Sequence, residues 1–263
     1  MSETIDPQQL ELAATILARS RYCIALVGAG MSVESGIPPF RGAGGLWTKR
    51  GEPPMDGYQR FLRDPGQYWA NRMGAASVDD EFVRALIEAK PNAGHYALAE
   101  MEREGLLKHV ITQNIDNLHT LAGSVAVTEI HGNRTKLRCI GCNRRWPLDE
   151  FPIETVPPRC PDCGGLVKGD TVMFGEPIPP DALEACARES RQADCMLVIG
   201  TSAVVYPAAQ YPIVVYERGG ALIEINIEDT PLTAYCAAVL RAPSAQALPR
   251  LLERAKALRA AGA

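Results

Sequence analysis

The chain has 263 residues, a formal net charge of −4, and 46% hydrophobic against 22% charged residues. That length admits one large α/β domain or a main domain with a smaller insertion, and the composition excludes a disordered chain. The slight acidic excess and the lack of any block of like charge argue against a sequence-specific nucleic-acid surface. No apolar stretch approaches the roughly 20 residues that cross a bilayer. With no leader pattern in the polar, acidic residues 1–9, the expected location is cytoplasmic, without a membrane partner.

The first predicted helix starts at Asp6-Pro7, a cap followed by a first-turn proline, with Leu10, Ala13, Ile16 and Leu17 along one face. The apolar run at residues 23–27 then stops at Gly28. Runs of the same kind occupy residues 110–111, 125–130, 196–199, 222–225 and 238–240. Each is too short for a helix and ends at small or polar residues, as buried parallel strands do. Strand-then-helix repetition predicts an α/β, Rossmann-like parallel sheet. Residues 38–73 read as a long loop with short helices, and residues 137–168 as an insertion.

The strand ends are GAGMS (28–32), TQNID (112–116), HGN (131–133), GTS (200–202) and NIE (226–228). Open parallel sheets bind ligands beyond the carboxyl ends of their strands, so these five segments are expected to line one cleft. GAGMS resembles a dinucleotide fingerprint, in which glycines let the backbone approach a pyrophosphate. It departs from G-x-G-x-x-G at Val33, and no acidic residue ends a next strand about 20 residues later. A plain strand-to-helix turn gives the same fragment.

Cys139, Cys142, Cys160 and Cys163 read C-x2-C, seventeen residues, then C-x2-C, the spacing of a tetrahedral four-thiolate zinc site. Two disulfides or free thiols are the alternatives, and a cytoplasmic location disfavours disulfides. Four protein ligands leave no place for an activated water, so one structural zinc ion is expected. Cys23, Cys186, Cys195 and Cys236 read as small buried hydrophobes.

The longer string GAGMSVESGIPPFRGAGGLW (28–47) is far more specific than its first five residues. With TQNIDNLH (112–119), His131-Gly132, VMFGE (172–176), GTS and NIE following in order, the chain resembles the sirtuin family from about residue 10 to 255. Pro39 departs from the Asp or Thr of many members before the Phe-Arg pair and stiffens the loop, since proline fixes φ. The resemblance implies NAD-dependent removal of acyl groups, chiefly acetyl, from protein lysines, with NAD consumed as a co-substrate. The acyl oxygen attacks the ribose carbon as nicotinamide leaves. His131 then acts as general base on a ribose hydroxyl, and the acyl group ends on ADP-ribose.

By the same resemblance, NAD is held by Gly28, Ala29, Gly30, Ser32, Phe40, Arg41 and Trp47 in the cofactor loop. Gln113, Asn114, Ile115 and Asp116 hold it from the TQNID segment, with Asn114 positioning the reacting ribose and water and Asp116 on the nicotinamide side. Gly200, Thr201, Ser202, Asn226, Ile227 and Glu228 contribute the remaining strand ends, and Ser244 the adenine end. The partner is an acyl-lysine protein or peptide, laid as an added strand between Val172, Phe174, Gly175, Glu176 and the opposite wall, Val204 and Val205. Read as residues alone, His131 is also a capped strand end, Asn114 and Asp116 are also helix caps, and VMFGE is also a strand and turn. His95, His109 and His119 are weaker candidates, with His119 supporting the TQNID loop.

The implied domains are a Rossmann-like NAD-binding domain of residues 1–38, 80–135 and 169–263, a cofactor-loop and helical module of 39–79, and a zinc-ribbon insertion of 136–168. Sirtuins that take acidic acyl chains carry a Tyr-x-x-Arg pair after the cofactor loop. Here those positions fall on Arg72 and Ala75, or, with Arg72 kept as the arginine, on Trp69 and Arg72, so neutral acyl chains are expected. An NAD glycohydrolase or ADP-ribosyl transferase would use the same pocket. A redox dehydrogenase is disfavoured by Val33 and the missing acidic residue, and a non-catalytic zinc-ribbon module by the intact His131 and TQNID segments.

Overall fold

In the computed structural model, residues 5–41, 45–74 and 81–262 are described. Helix α1 (Pro7–Arg19) begins as its sequence dictates. The Asp6 carboxylate accepts the Gln8 amide at 2.9 Å, and Pro7 fills a first-turn position that has no use for an amide hydrogen. Ala13 and Leu17 are buried and Leu10 and Ile16 pack beside them. Strand β1 (Cys23–Val27) follows, buried at every residue. The next strand comes only after a run of helices: α2 (Leu46–Arg50), α3 (Gly57–Arg63), α4 (Pro65–Met73), α5 (Glu81–Glu88) and α6 (Ala93–Arg103).

Beyond α6 come β2 (His109–Thr112), α7 (Leu118–Leu121) and β3 (Val127–Glu129), and after residue 192, β7 (Cys195–Ile199), α9 (Gln210–Glu217), β8 (Ala221–Asn226), β9 (Ala238–Arg241) and α10 (Ser244–Ala260). Every neighbouring pair in the main sheet is parallel, in the order β3-β2-β1-β7-β8-β9. Counted along the sheet's own strands this is the 3-2-1-4-5-6 order of a Rossmann sheet, with its reversal between β1 and β7. Alternate side chains serve opposite faces. Cys23, Ala25 and Val27 join α1, α6 and α10 in one apolar layer, while Ile24 and Leu26 join the layer of Cys186, Tyr211 and Val215.

Between β3 and β7 the chain builds a second sheet from β4 (Lys136–Cys139), β5 (Arg145–Pro147) and β6 (Val167–Gly169), antiparallel in the order β5-β4-β6, before helix α8 (Pro180–Gln192) returns it to the main sheet. A separate apolar cluster ties this sheet to α4: Trp69 is buried against Leu137, Phe151 and Val167, and its indole donates to the Val167 carbonyl at 3.0 Å.

All six sheet strands coincide with the predicted apolar runs, four of them reaching one residue past one or both ends. Only the run at 125–130 yields a strand shorter than itself, because the Glu102 carboxylate takes the amides of Val125 and Ala126 at 3.0 and 2.8 Å, and Val125 faces solvent. His109, expected before its strand, is its first residue. Residues 172–176 form no strand; they follow a bend at Asp170-Thr171 and make a turn at Phe174-Gly175, where the Gly175 φ is +77°.

Candidate functional site

The turn after β1 is a short 3₁₀ segment, Ala29–Ser35, closed by Gly36 in the left-handed region at φ +90°. Its glycines allow two loops to interlock at the switch point. The Gly28 and Gly30 amides donate to the Ile199 and Gly200 carbonyls at 2.9 and 2.8 Å. A Cβ on Gly28 or Gly30 would lie 2.7 Å from the Gly200–Thr201 backbone or side chain, so only glycine fits. Val33, where the fingerprint has a third glycine, points to solvent from this short turn. The close helix-to-strand packing that the third glycine serves is absent there, so a side chain costs nothing.

Around that turn the predicted polar residues meet. Asn114 is buried, and its amide donates to the Gly28 carbonyl at 3.0 Å and to the Ser32 hydroxyl at 3.2 Å. Ser32 in turn donates to Asp116 at 2.6 Å, while the other Asp116 oxygen accepts the Leu118 amide at the start of α7. Asp116, one residue before the Asn117 N-cap, therefore holds both the first amide of α7 and the Ser32 hydroxyl. Ile115 packs partly buried against Ile37 and Leu118. Gln113 donates to Thr201 Oγ1 at 3.0 Å, and Asn226 to the Thr201 carbonyl at 2.9 Å, joining the ends of β2, β7 and β8. Ser202, Ile227 and Glu228 stay exposed beyond them.

His131 sits just past β3 with Nδ1 3.2 Å from the Gln113 carbonyl. A carbonyl only accepts, so Nδ1 carries the proton and Nε2 keeps the basic lone pair. Burial lowers the pKa of His131 below its ordinary 6.5, opposed by that carbonyl bond, which leaves the ring neutral at pH 7. The His131 carbonyl accepts the Val172 amide at 2.8 Å, so the histidine and segment 172–176 are bonded directly.

Phe40, Trp47 and Phe174 form a chain of rings with centroids 5.1 and 5.7 Å apart, and the Arg41 guanidinium lies 4.4 Å over Trp47. This joins the cofactor loop to segment 172–176; Gly42, Ala43 and Gly44 lie outside the described residues. Phe174 and Val204 are exposed, Val205 is half-buried, and Gly175 packs against Gln59 and the Met55 carbonyl. The Glu176 carboxylate points inward to Arg138 and Lys168, so that residue offers only its backbone to a ligand. Ser244 is buried in the first turn of α10, whose Ala245 amide is taken by Glu34 at 2.7 Å.

The four ribbon cysteines bring their sulfurs within 4.8 Å of one another, with Cys139–Cys163 at 3.5 Å and Cys142–Cys160 at 3.7 Å. A regular tetrahedron with ~2.3 Å zinc–sulfur bonds has sulfurs about 3.8 Å apart, so the set fits zinc. The Gly141 and Cys142 amides donate to the Cys139 sulfur at 3.3 and 3.4 Å, bonds suited to a thiolate. None of the four is in a disulfide. Cys23, Cys186 and Cys195 are buried as expected, while Cys236 is only partly so.

Two arrangements were not anticipated from sequence. His95 and His119, each named only as a weaker candidate, pack ring against ring at a tilt of 58° with centroids 4.9 Å apart. Burial lowers their pKa values to about 3 and about 4. Arg138, Lys168, Asp170 and Glu176 form a buried ionic cluster behind segment 172–176. Isolated charges and histidines have no sequence period, so nothing short of the fold brings them together.

A Rossmann sheet whose polar strand ends close on a histidine, flanked by a four-thiolate ribbon, defines an α/β enzyme that uses a dinucleotide beside a structural metal. The chain belongs to the Sir2 family, whose model matches residues 28–207. The NAD-dependent protein deacylase of Thermococcus kodakarensis is 44% identical over 254 residues, covering 93% of this chain and 95% of its own. A mutant Sir2 homologue in complex with ADP-ribose superposes with a TM-score of 0.78 at 39% identity, over 97% of this chain and 98% of its own. A Sir2–p53 peptide–NAD+ complex does so with a TM-score of 0.73 at 33% identity, over 92% and 97%.

Proposed function

We propose that this chain removes acyl groups, chiefly acetyl, from protein lysines by transferring them to the ADP-ribose of NAD, releasing nicotinamide. The observation that carries the reading is the bond from the Val172 amide to the His131 carbonyl, which joins the residue read as general base to the segment read as peptide-binding, just past the end of β3. NAD lies along Gly28, Ala29, Gly30 and Ser32 under Phe40, Arg41 and Trp47. Asn114 orients the reacting ribose, Asp116 faces nicotinamide, and Gln113, Ile115, Gly200, Thr201, Ser202, Asn226, Ile227, Glu228 and Ser244 hold the rest.

The acyl-lysine peptide lies between residues 172–176 and Val204-Val205. The acyl oxygen attacks the ribose carbon as nicotinamide leaves, and the neutral His131 ring takes a ribose hydroxyl proton, so that the hydroxyl attacks the activated acyl carbon; the lysine amine then leaves with a proton and water adds to the acyl carbon, leaving the acyl group on ADP-ribose. Cys139, Cys142, Cys160 and Cys163 would hold a zinc ion with all four positions filled, so that it would fold the ribbon and leave no site for an activated water. The domain division at residues 39–79 and 136–168 is supported by the separate apolar cluster under the second sheet. Among the described residues no helix is long and apolar enough to cross a membrane.

Incubation with NAD and an acetyl-lysine peptide tests the reading. Nicotinamide release that depends on the peptide and yields acyl-ADP-ribose supports it. Equal release without peptide makes the protein a glycohydrolase.

A further inference from the structure

Glu176 turns its side chain away from the surface of the segment it closes. One carboxylate oxygen is held by Arg138; the other pairs with Lys168 Nζ at 3.0 Å and accepts the Met173 amide at 2.8 Å. Lys168 lies in β6 and is fully buried, where an ammonium persists only with partners. It has three, since it also donates to the Gly169 and Thr171 carbonyls at 2.8 Å each. Burial draws its pKa down to about 8, opposed by Glu176.

The same cluster reaches the catalytic strand end. Arg138, next to Cys139 in β4, bonds Asp170 Oδ1 at 3.0 Å, and Asp170 Oδ2 accepts the Asn133 amide at 3.1 Å. The Gly132 backbone packs so closely here that a Cβ would lie 2.1 Å from the Asp170 carbonyl oxygen. One buried set of charges thus touches the ribbon strands, the residues after His131 and the segment that starts at Val172.

We propose that Lys168 is a positioning residue for the peptide substrate, setting the conformation of segment 172–176 through Glu176 and the Met173 amide. The proposal rests on the reading that this segment holds the acyl-lysine peptide. A charge cluster kept only for stability is poorly chosen, because apolar residues of similar volume commonly serve a buried site as well or better. What charge supplies here is direction. The bonds of Lys168 and Glu176 end on Arg138, Gly169, Thr171 and Met173, all in the ribbon or the segment, whereas the strand ends that take NAD are bonded to one another. Its loss is therefore felt first by the peptide, and by NAD only through the Phe174–Trp47 ring contact.

Lys168→Met keeps most of the side-chain length, removes the charge and leaves Glu176 on Arg138. The expected result is a KM for an acetyl-lysine peptide raised about tenfold, equal to about 1.4 kcal/mol, with kcat, the KM for NAD and the zinc content little changed. Faster amide exchange at Met173 accompanies it. An unchanged peptide KM in the folded variant overturns the proposal, as does an equal rise in the KM for NAD. If Lys168→Met does not fold, Glu176→Gln carries the test, and an unchanged peptide KM there is equally fatal. A wild-type protein that releases no nicotinamide in the presence of the peptide fails the deacylase reading itself, a result distinct from either.

Discussion

At the scale of single residues, the proposed chemistry rests on His131 and on the burial that keeps its ring neutral. Replacing it with alanine is expected to lower turnover of an acetylated peptide by at least ~10²-fold, the scale of a positioned general base, without unfolding the protein. Because burial depresses its pKa, the neutral form survives to lower pH than for a free imidazole. The acidic limb of kcat/KM should therefore have its midpoint below 6.5, and a midpoint above 6.5 contradicts the assignment. Acyl choice is also a residue-scale matter. Arg72 lies on α4 with its guanidinium over Gly169, 2.9 Å from where a Cβ would be, and 6.0 Å from the Trp69 ring. Ala75 lies outside the described residues. A carboxylate buried without its charged partner is unfavourable by roughly 2–5 kcal/mol, so acetyl should exceed succinyl in kcat/KM on one peptide. Succinyl turnover equal to acetyl would show that Arg72 serves the pocket.

At the scale of elements, the second sheet is three strands of three or four residues each. So small a sheet cannot bury enough apolar surface to stand alone. Its cysteines and the Trp69 contact to α4 make up the difference. Cys163→Ser should lose zinc, unfold the ribbon and, through β4 and β6, disorder the segment after Gly169, bringing activity to background. Elemental analysis of the wild-type protein that finds no zinc removes the basis for this expectation. The same element explains why residues 172–176 are not a strand. Their amides and carbonyls are divided among His131, Glu176 and Tyr58, so no continuous edge is left to pair within the chain.

At the scale of the whole molecule, two buried histidines tie stability to pH. Among the described residues neither ring nitrogen of His119 has a hydrogen-bond partner, and burial holds its pKa at about 4. The unfolded chain protonates it near 6.5. Between these values the unfolded state binds the extra proton, so stability is full above pH 6.5 and falls as pH drops toward 4. His119 alone accounts for roughly 3 kcal/mol, and His95 adds to it in the same direction. Denaturant midpoints measured from pH 7 to pH 4.5 should decline steadily. An NMR titration in which His119 protonates at 6.5 in the folded protein rules this out.

Periodicity and spacing determined the parallel sheet, the first helix with its Asp6 cap and the tetrahedral cysteine set, because each is written in neighbouring residues or in short fixed intervals, and the ordered motifs from Gly28 to Glu228 carried the resemblance to the family. The strand ends that converge on Gly28 were legible because a parallel sheet places all its carboxyl ends along one edge. Only the tertiary structure decided that Val33 is harmless, that Glu176 faces inward, that Glu102 shortens β3 and that His95 packs against His119. Each depends on a partner tens of residues away, and the desolvation that makes a buried lysine or histidine need that partner exists only once the chain has closed around it.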